Sequence, residues 1–540
     1  MKNLCRVMPS ALLCLLGLVG LASCKPATSP GPATLPTAAL DLMNLDITAL
    51  QQRMAGGQLT SRQLTQAYLD RIAQLDDEGP RLNAVLALNP DALVLADQRD
   101  AERKAGAIRG PLHGIPVLLK DNIDTGDRQD TTAGSLALAG HPAASDAFLV
   151  TRLREAGAII LGKTNLSEWA NFRSTRSSSG WSAAGGQTRN PHVLDRSPCG
   201  SSSGSGVAVA IGFAAAAVGT ETDGSIVCPA SLNGIVGFKP TVGLVSRSGI
   251  VPISHSQDTA GPMARSVRDA ALLLDVMAGT DPQDAATTTN PPGQRSGFAQ
   301  ALGGATLRGQ RIGIVRAIGG ADNRGQAVLD AAVATLRAQG AVVVDPVSLP
   351  PDSDYGKDEL TVLSWEFKQD LNAYLAQRKH PQVQSLQGLI DWNIAHAQQE
   401  LPWFGQELLL SSQALGDKDG AAYEQARERA RRKAGALGID ATLRRHDLVA
   451  LVALTQSPAW AIDLVNGDNF ASGFGASTPA AVAGYPHATV PGGFVHGLPV
   501  GVSFFAGAWQ DARVLALAHA FEQVHSARQV PALRPSLALP

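Results

Sequence analysis

The chain is 540 residues long, with 44% hydrophobic and 17% charged side chains and a formal net charge of −2. That apolar fraction supplies a large core and excludes an intrinsically disordered chain. No basic run exceeds Arg431–Lys433, so nothing points to a nucleic-acid partner.

In chain order, residues 1–24 stand apart. Lys2 and Arg6 precede an apolar run that ends at Ser23 and is too short to span a bilayer, the pattern of a signal peptide. Leu21-Ala22-Ser23-Cys24 also has the form of a bacterial lipobox. Two readings follow: attachment to a membrane through a lipidated Cys24, or plain secretion with cleavage nearby. Both predict an exported protein, in the periplasm or cell envelope. Residues 25–40 are rich in Pro and Thr without a period and read as a tether.

Next, Thr60-Ser61-Arg62-Gln63 has capping-box spacing, and Leu64, Tyr68, Ile72 and Leu75 share one helical face. Short apolar runs follow at 84–88, 115–119, 158–161, 311–315, 341–344, 448–454 and 499–505. Several alternate with helical segments. The pattern predicts an α/β protein: one large domain over 41–530, with a central, mixed, mostly parallel twisted sheet covered by helices on both faces. The more charged, helical stretch 355–437 reads as an inserted or covering layer.

Of the five cysteines, Cys5, Cys14 and Cys24 fall in the export segment, leaving Cys199 and Cys228. Two cysteines make no disulfide framework for a chain this long. No CxxC, HExxH or clustered His/Cys spacing occurs, so neither metal nor cofactor is expected.

Two motifs mislead. GAIILGKT (157–164) matches a phosphate loop literally, but Ala158 to Leu161 read as a buried strand, not as a loop whose amides converge. Gly200-Ser201-Ser202-Ser203-Gly204 matches G-x-S-x-G, yet the preceding segment is polar and broken by proline. It therefore lacks the strand of a nucleophile elbow, and nothing singles out a histidine partner such as His487.

Lys120 closes the apolar run of GPLHGIPVLLKDNIDTGD. A lysine there is ordinarily a surface residue. The other reading is a lysine drawn into a site, where burial lowers its pKa and makes the neutral amine a base. GTETDGSIVCPAS (219–231) places Ser225 behind Gly224 with no histidine within twenty residues. Two serine-bearing glycine turns and a strand-end lysine are sufficient for a nucleophile, a relay and a base without histidine. Gly224 gives backbone N–H groups the freedom to turn toward an oxyanion.

These segments, together with GAIILGKTNLSEWA, GWSAAGGQTRNP, CGSSSGSG, NGIVGFKPTVGLVS, DTAGPMARSVRDAALLL and AVAGYPHATVPGG, resemble the amidase signature family, the Ser-cisSer-Lys hydrolases, over about 60–525. The resemblance implies that Ser225 is the nucleophile. Ser201, after a cis peptide bond, would be the bridging serine, and Lys120 the base. It also implies an oxyanion hole from the N–H groups of Thr222, Asp223, Gly224 and Ser225, with Ser202 in support. GTETDGSIVCPAS is most similar to the peptide amidase branch of the family. That likeness implies hydrolysis of a peptide's C-terminal carboxamide to acid and ammonia, with internal bonds spared and no obligate protein partner. A general acylamidase acting on small, aryl or fatty amides is the alternative. An amidotransferase subunit fits the export segment poorly, and a non-enzymatic surface lipoprotein fits the retained serines and lysine poorly. The chain departs from many family members at Glu221, Asp223 and Val227, where Asp, Gly and Arg are common, and at Cys199, where Gly is. Asp223 raises a question about backbone angles in the oxyanion turn. Cys199 and Cys228 are expected as free thiols, with a disulfide near the site the alternative should they lie close.

Overall fold

In the computed structural model, which describes residues 40–289, 291, 293, 295–319, 323–469 and 475–537, the helix expected after Thr60 spans Ser61–Ile72. It opens on the full capping box with Gln63 and buries Leu64, Tyr68 and Ile72. The export segment and the tether, Cys24 included, lie outside the described residues apart from Leu40. Asp41 onward forms one compact unit.

Thirteen strands are described: β1 (Val85–Leu88), β2 (Pro116–Lys120), β3 (Ile159–Thr164), β4 (Trp181–Ser182), β5 (Gly186–Gln187), β6 (Ala216–Glu221), β7 (Val236–Lys239), β8 (Thr259–Ala264), β9 (Arg311–Ile314), β10 (Val342–Val344), β11 (Ala450–Leu454), β12 (His487–Val495) and β13 (Leu498–Phe505). Eleven of them make a single sheet in the order β1-β3-β2-β6-β8-β7-β12-β13-β11-β9-β10, and β4 pairs with β5 apart from it. The mixed sheet is as expected, but its balance is not mostly parallel. Among the described residues β3·β2, β2·β6, β11·β9 and β9·β10 are parallel and the other six pairings are antiparallel. The reason lies at the sheet centre. There β6, β8 and β7 pair antiparallel, and β12 and β13 form a hairpin turning through His496-Gly497. Helix–strand alternation in sequence does not reveal these pairings.

Helices cover the sheet. Ser203–Ile211 lies against β2, β3, β6 and β8, and Val227–Leu232 against β7, β12 and β13. Val267–Met277 and Asp511–Glu522, packed on each other, cover β6 to β8 and β12 to β13. Small residues let the first helix approach closely: a Cβ on Gly204 would collide with the carbonyl oxygens of Ala84 and Asn165. Gly356–Arg378, Leu386–Ala395 and Glu407–Ala414 form a further layer. Their Phe367, Leu371, Leu389 and Leu409 pack with Trp169, Phe172, Val251 and Ile253 of the sheet's loops. Among the described residues no helix is long and apolar enough to cross a membrane.

Candidate active site

β2 and β6 are neighbours and run parallel, with Val117 to Leu119 opposite Ala216 to Val218. Both strands therefore end at the same edge of the sheet, the edge where open α/β sheets place their ligands. β2 ends in Lys120 and β6 in Thr220 and Glu221.

The chain leaves β6 through residues 222–226. Gly224 adopts φ +80°, the left-handed conformation that glycine takes without steric cost. Asp223 has no positive φ, so glycine alone bears the unusual conformation, and an aspartate before it is compatible with the turn. The buried Glu221 carboxylate accepts from the N–H groups of Ile226 (2.7 Å) and Val227 (3.0 Å), closing the turn onto the helix Val227–Leu232. Burial raises the pKa of Glu221, opposed by the charge of Lys239 and these two N–H groups. Among the described residues the amides of Thr222, Asp223, Gly224 and Ser225 donate to no other protein group, which leaves them available to an oxyanion.

A second loop, Pro198 to Ser202, leads into the helix Ser203–Ile211. The Gly200–Ser201 peptide bond is cis, as the resemblance implies. A Cβ at Gly200 would run into Ser167 Oγ, so any larger residue requires that hydroxyl to move. Ser202 braces the site: its hydroxyl donates to Thr220 O (3.0 Å) and accepts from Thr220 N (3.2 Å), while its own amide donates to Ser225 O (3.1 Å).

Lys120 is fully buried. Its Nζ lies 2.7 Å from Ser201 Oγ, 2.8 Å from Thr220 Oγ1 and 3.3 Å from Thr220 O. Burial lowers its pKa to about 7, against the charges of Asp258 and Glu221, which raise it. A neutral amine has two protons and one lone pair. With the protons directed to the two oxygens of Thr220, the lone pair faces Ser201 Oγ and can accept its proton. Lys120 and Ser201 are thus brought together as expected. Ser225, 7% exposed, is held beside them by the Ser202–Ser225 backbone bond, but its hydroxyl makes no hydrogen bond among the described residues. Such contacts tighten when substrate binds.

Several further expectations are corrected or resolved. Cys199 and Cys228 are not free thiols; they form a disulfide between the two serine-bearing segments. Sequence separation (29 residues) gave no sign of this proximity. The IILGKT of GAIILGKT is strand β3, and its Lys163 is buried against Ile123 O (2.8 Å) and Thr131 Oγ1 (2.8 Å), not poised over a phosphate. His487 bonds Ser503 (2.6 Å), and burial lowers its pKa to about 3, so it does not serve the G-x-S-x-G segment.

Three residues of the site went unassigned in the sequence. Thr220 holds Lys120, Asn122 donates to Thr220 Oγ1 (3.0 Å), and Asp258 accepts from Thr222 Oγ1 (2.6 Å). Asn122 directly follows the lysine motif and Asp258 opens DTAGP, so their motifs were visible while their roles were not. A cavity of about 620 Å³ reaches these residues from the Thr220–Thr222 side, but Ser201 and Ser225 do not line it. Among the described residues one group, His255, Glu366 and Asp370, has metal-ligand chemistry. Both imidazole nitrogens there already face carboxylates, at 2.9 Å (Asp370) and 3.2 Å (Glu366), the arrangement of an ion pair.

The fold and this site are those of an amide hydrolase. The chain belongs to the amidase family, whose profile matches residues 63–515. A probable amidase of Arabidopsis thaliana is 42% identical over 490 residues, 88% of each chain. The native peptide amidase of Stenotrophomonas maltophilia superposes with a TM-score of 0.86 at 53% identity, covering 91% of this chain and 99% of that one. A peptide amidase in complex with the competitive inhibitor chymostatin gives 0.87 at 54% identity, covering 90% and 99%.

Proposed function

We propose that the enzyme removes the C-terminal carboxamide nitrogen of peptides, releasing the free acid and ammonia. The observation that carries the reading is the likeness to peptide amidase, above half identity and covering nearly all of that protein. Ser225 Oγ attacks the carbonyl carbon. Its proton passes to Ser201 Oγ as Ser201 gives its own to Lys120 Nζ. The amides of Thr222, Asp223, Gly224 and Ser225 stabilise the tetrahedral oxyanion. The proton then returns through Ser201 to the departing nitrogen, the C–N bond breaks, and ammonia leaves an acyl-Ser225. Water, deprotonated through the same relay, hydrolyses the ester.

The enzyme works outside the cytoplasm in this reading. Residues 1–24 support it, as does a disulfide, which persists in oxidising compartments.

The test compares kcat/KM for ammonia release from peptide amides with that from aryl and fatty amides. A clear preference for peptide amides is expected. Turnover of aryl or fatty amides without the peptide amides would replace this reading with the general acylamidase.

A further inference from the structure

The relay loop and the nucleophile turn are separated in the chain by the helix Ser203–Ile211 and strand β6, and proton transfer needs their hydroxyls in register. Hydrogen bonds join them: Ser202 N donates to Ser225 O (3.1 Å), Ser202 Oγ meets Thr220 at the end of β6, Asn233 Nδ2 bridges Pro198 O (2.9 Å) and Pro229 O (2.7 Å), and Asn190 Nδ2 bridges Ser197 O (3.3 Å) and Leu232 O (2.9 Å). A further tie is covalent. Cys199 stands two residues before Ser201, and Cys228 three residues after Ser225.

Two observations indicate that this bond does more than fill space. First, Cys199 sits at φ +58°, a left-handed conformation that disfavours a side chain and that glycine takes freely. Its sulfur is what this residue brings to the position. Second, Cys228 is the second residue of a six-residue helix, Val227–Leu232, far below the length at which a helix is stable alone. That helix carries the nucleophile turn at its start. Glu221 holds its first amide from one side, and the disulfide holds its first turn to the relay loop from the other. The bond is buried in an apolar cluster with Val193, Leu232, Trp460 and Leu498.

We infer that the Cys199–Cys228 disulfide is a positioning element of the reaction: it holds the Ser201 loop against the Ser225 turn so that their hydroxyls meet when substrate binds, acting on the chemical step and not on substrate affinity. The inference rests on the serine–serine–lysine reading above.

The test compares the wild type with Cys199→Gly/Cys228→Ala, in which glycine accepts the left-handed backbone. The second measurement reduces the folded wild type with a phosphine, under conditions that leave its circular dichroism unchanged. In both, kcat should fall about tenfold with KM changed by less than about twofold. A serine-directed phosphonate should label Ser225 more slowly by a similar factor, since small misplacements of reacting groups cost this much or more. Unchanged kcat and labelling rate with only a lower Tm would overturn the inference, as would a rise in KM at constant kcat. If the wild type is not labelled at Ser225, the serine reading falls and the inference with it. Equal labelling of wild type and variant sinks the inference alone.

Discussion

The fully buried lysine, 2.7 Å from a serine hydroxyl, governs the chemistry expected of single residues. Ser225→Ala and Lys120→Ala should each lower kcat for ammonia release by about 10³-fold or more, with circular dichroism unchanged. The base must be neutral to act. Because burial brings the pKa of Lys120 to about 7, kcat/KM should rise with pH through an acid limb centred near that value. Asp258 raises the pKa of Lys120 by its charge. Asp258→Asn removes the charge while keeping an acceptor for the amides of Ile253 and Ser254, so the acid limb should move to lower pH. A shift to higher pH would contradict this electrostatic account. Thr220→Val deletes the hydroxyl that meets both Lys120 and Asn122. If the buried hydrogen bonding lost, about 1–3 kcal/mol, falls wholly on the transition state, kcat drops roughly 5- to 160-fold. Ser225, Ser201 and Lys120 were legible because the segments around them resemble the amidase signature family, which assigns each its role. Thr220 was not, because a threonine in a strand is ordinary and its role exists only through Lys120 on a neighbouring strand.

At the level of the element, the turn after β6 depends on one glycine. Gly224→Ala must hold φ +80° and bring a Cβ to 3.1 Å from Ser477 Oγ. Urea denaturation should show a loss of about 1–2 kcal/mol, accompanied by reduced kcat as the oxyanion amides shift. The same region shows why the sheet was only partly readable. β2, β3, β11 and β13 are rich in branched aliphatic residues and stood out. β6 (AAVGTE) and β8 (TAGPMA) are built from small residues, which give little hydrophobic signal. They are small because the Ser203–Ile211 helix lies close against them. Of the two strands that end at the catalytic edge, β2 was therefore visible and β6 was not, and its antiparallel partner β8 was missed with it.

Across the whole molecule, the outer helices are fastened to the site, not merely laid over it. Glu366 of helix Gly356–Arg378 accepts from Ser254 Oγ, Ser256 N, Ser256 Oγ and Tyr423 OH. Gln257 links Thr222 O (3.3 Å) to Glu359 (2.9 Å) of that helix. Glu366→Ala would leave several buried donors unpaired and should cost about 3 kcal/mol in urea denaturation. The proposed function is hydrolysis of peptide carboxamides. The most direct test uses one peptide in two forms, with a C-terminal amide and with a free carboxylate, followed by mass spectrometry and ammonia assay. The account predicts that the amide form alone releases ammonia, is converted to the free-acid form, and is not shortened. Fragments from either form, or no ammonia from the amide while other amides are turned over, would contradict it.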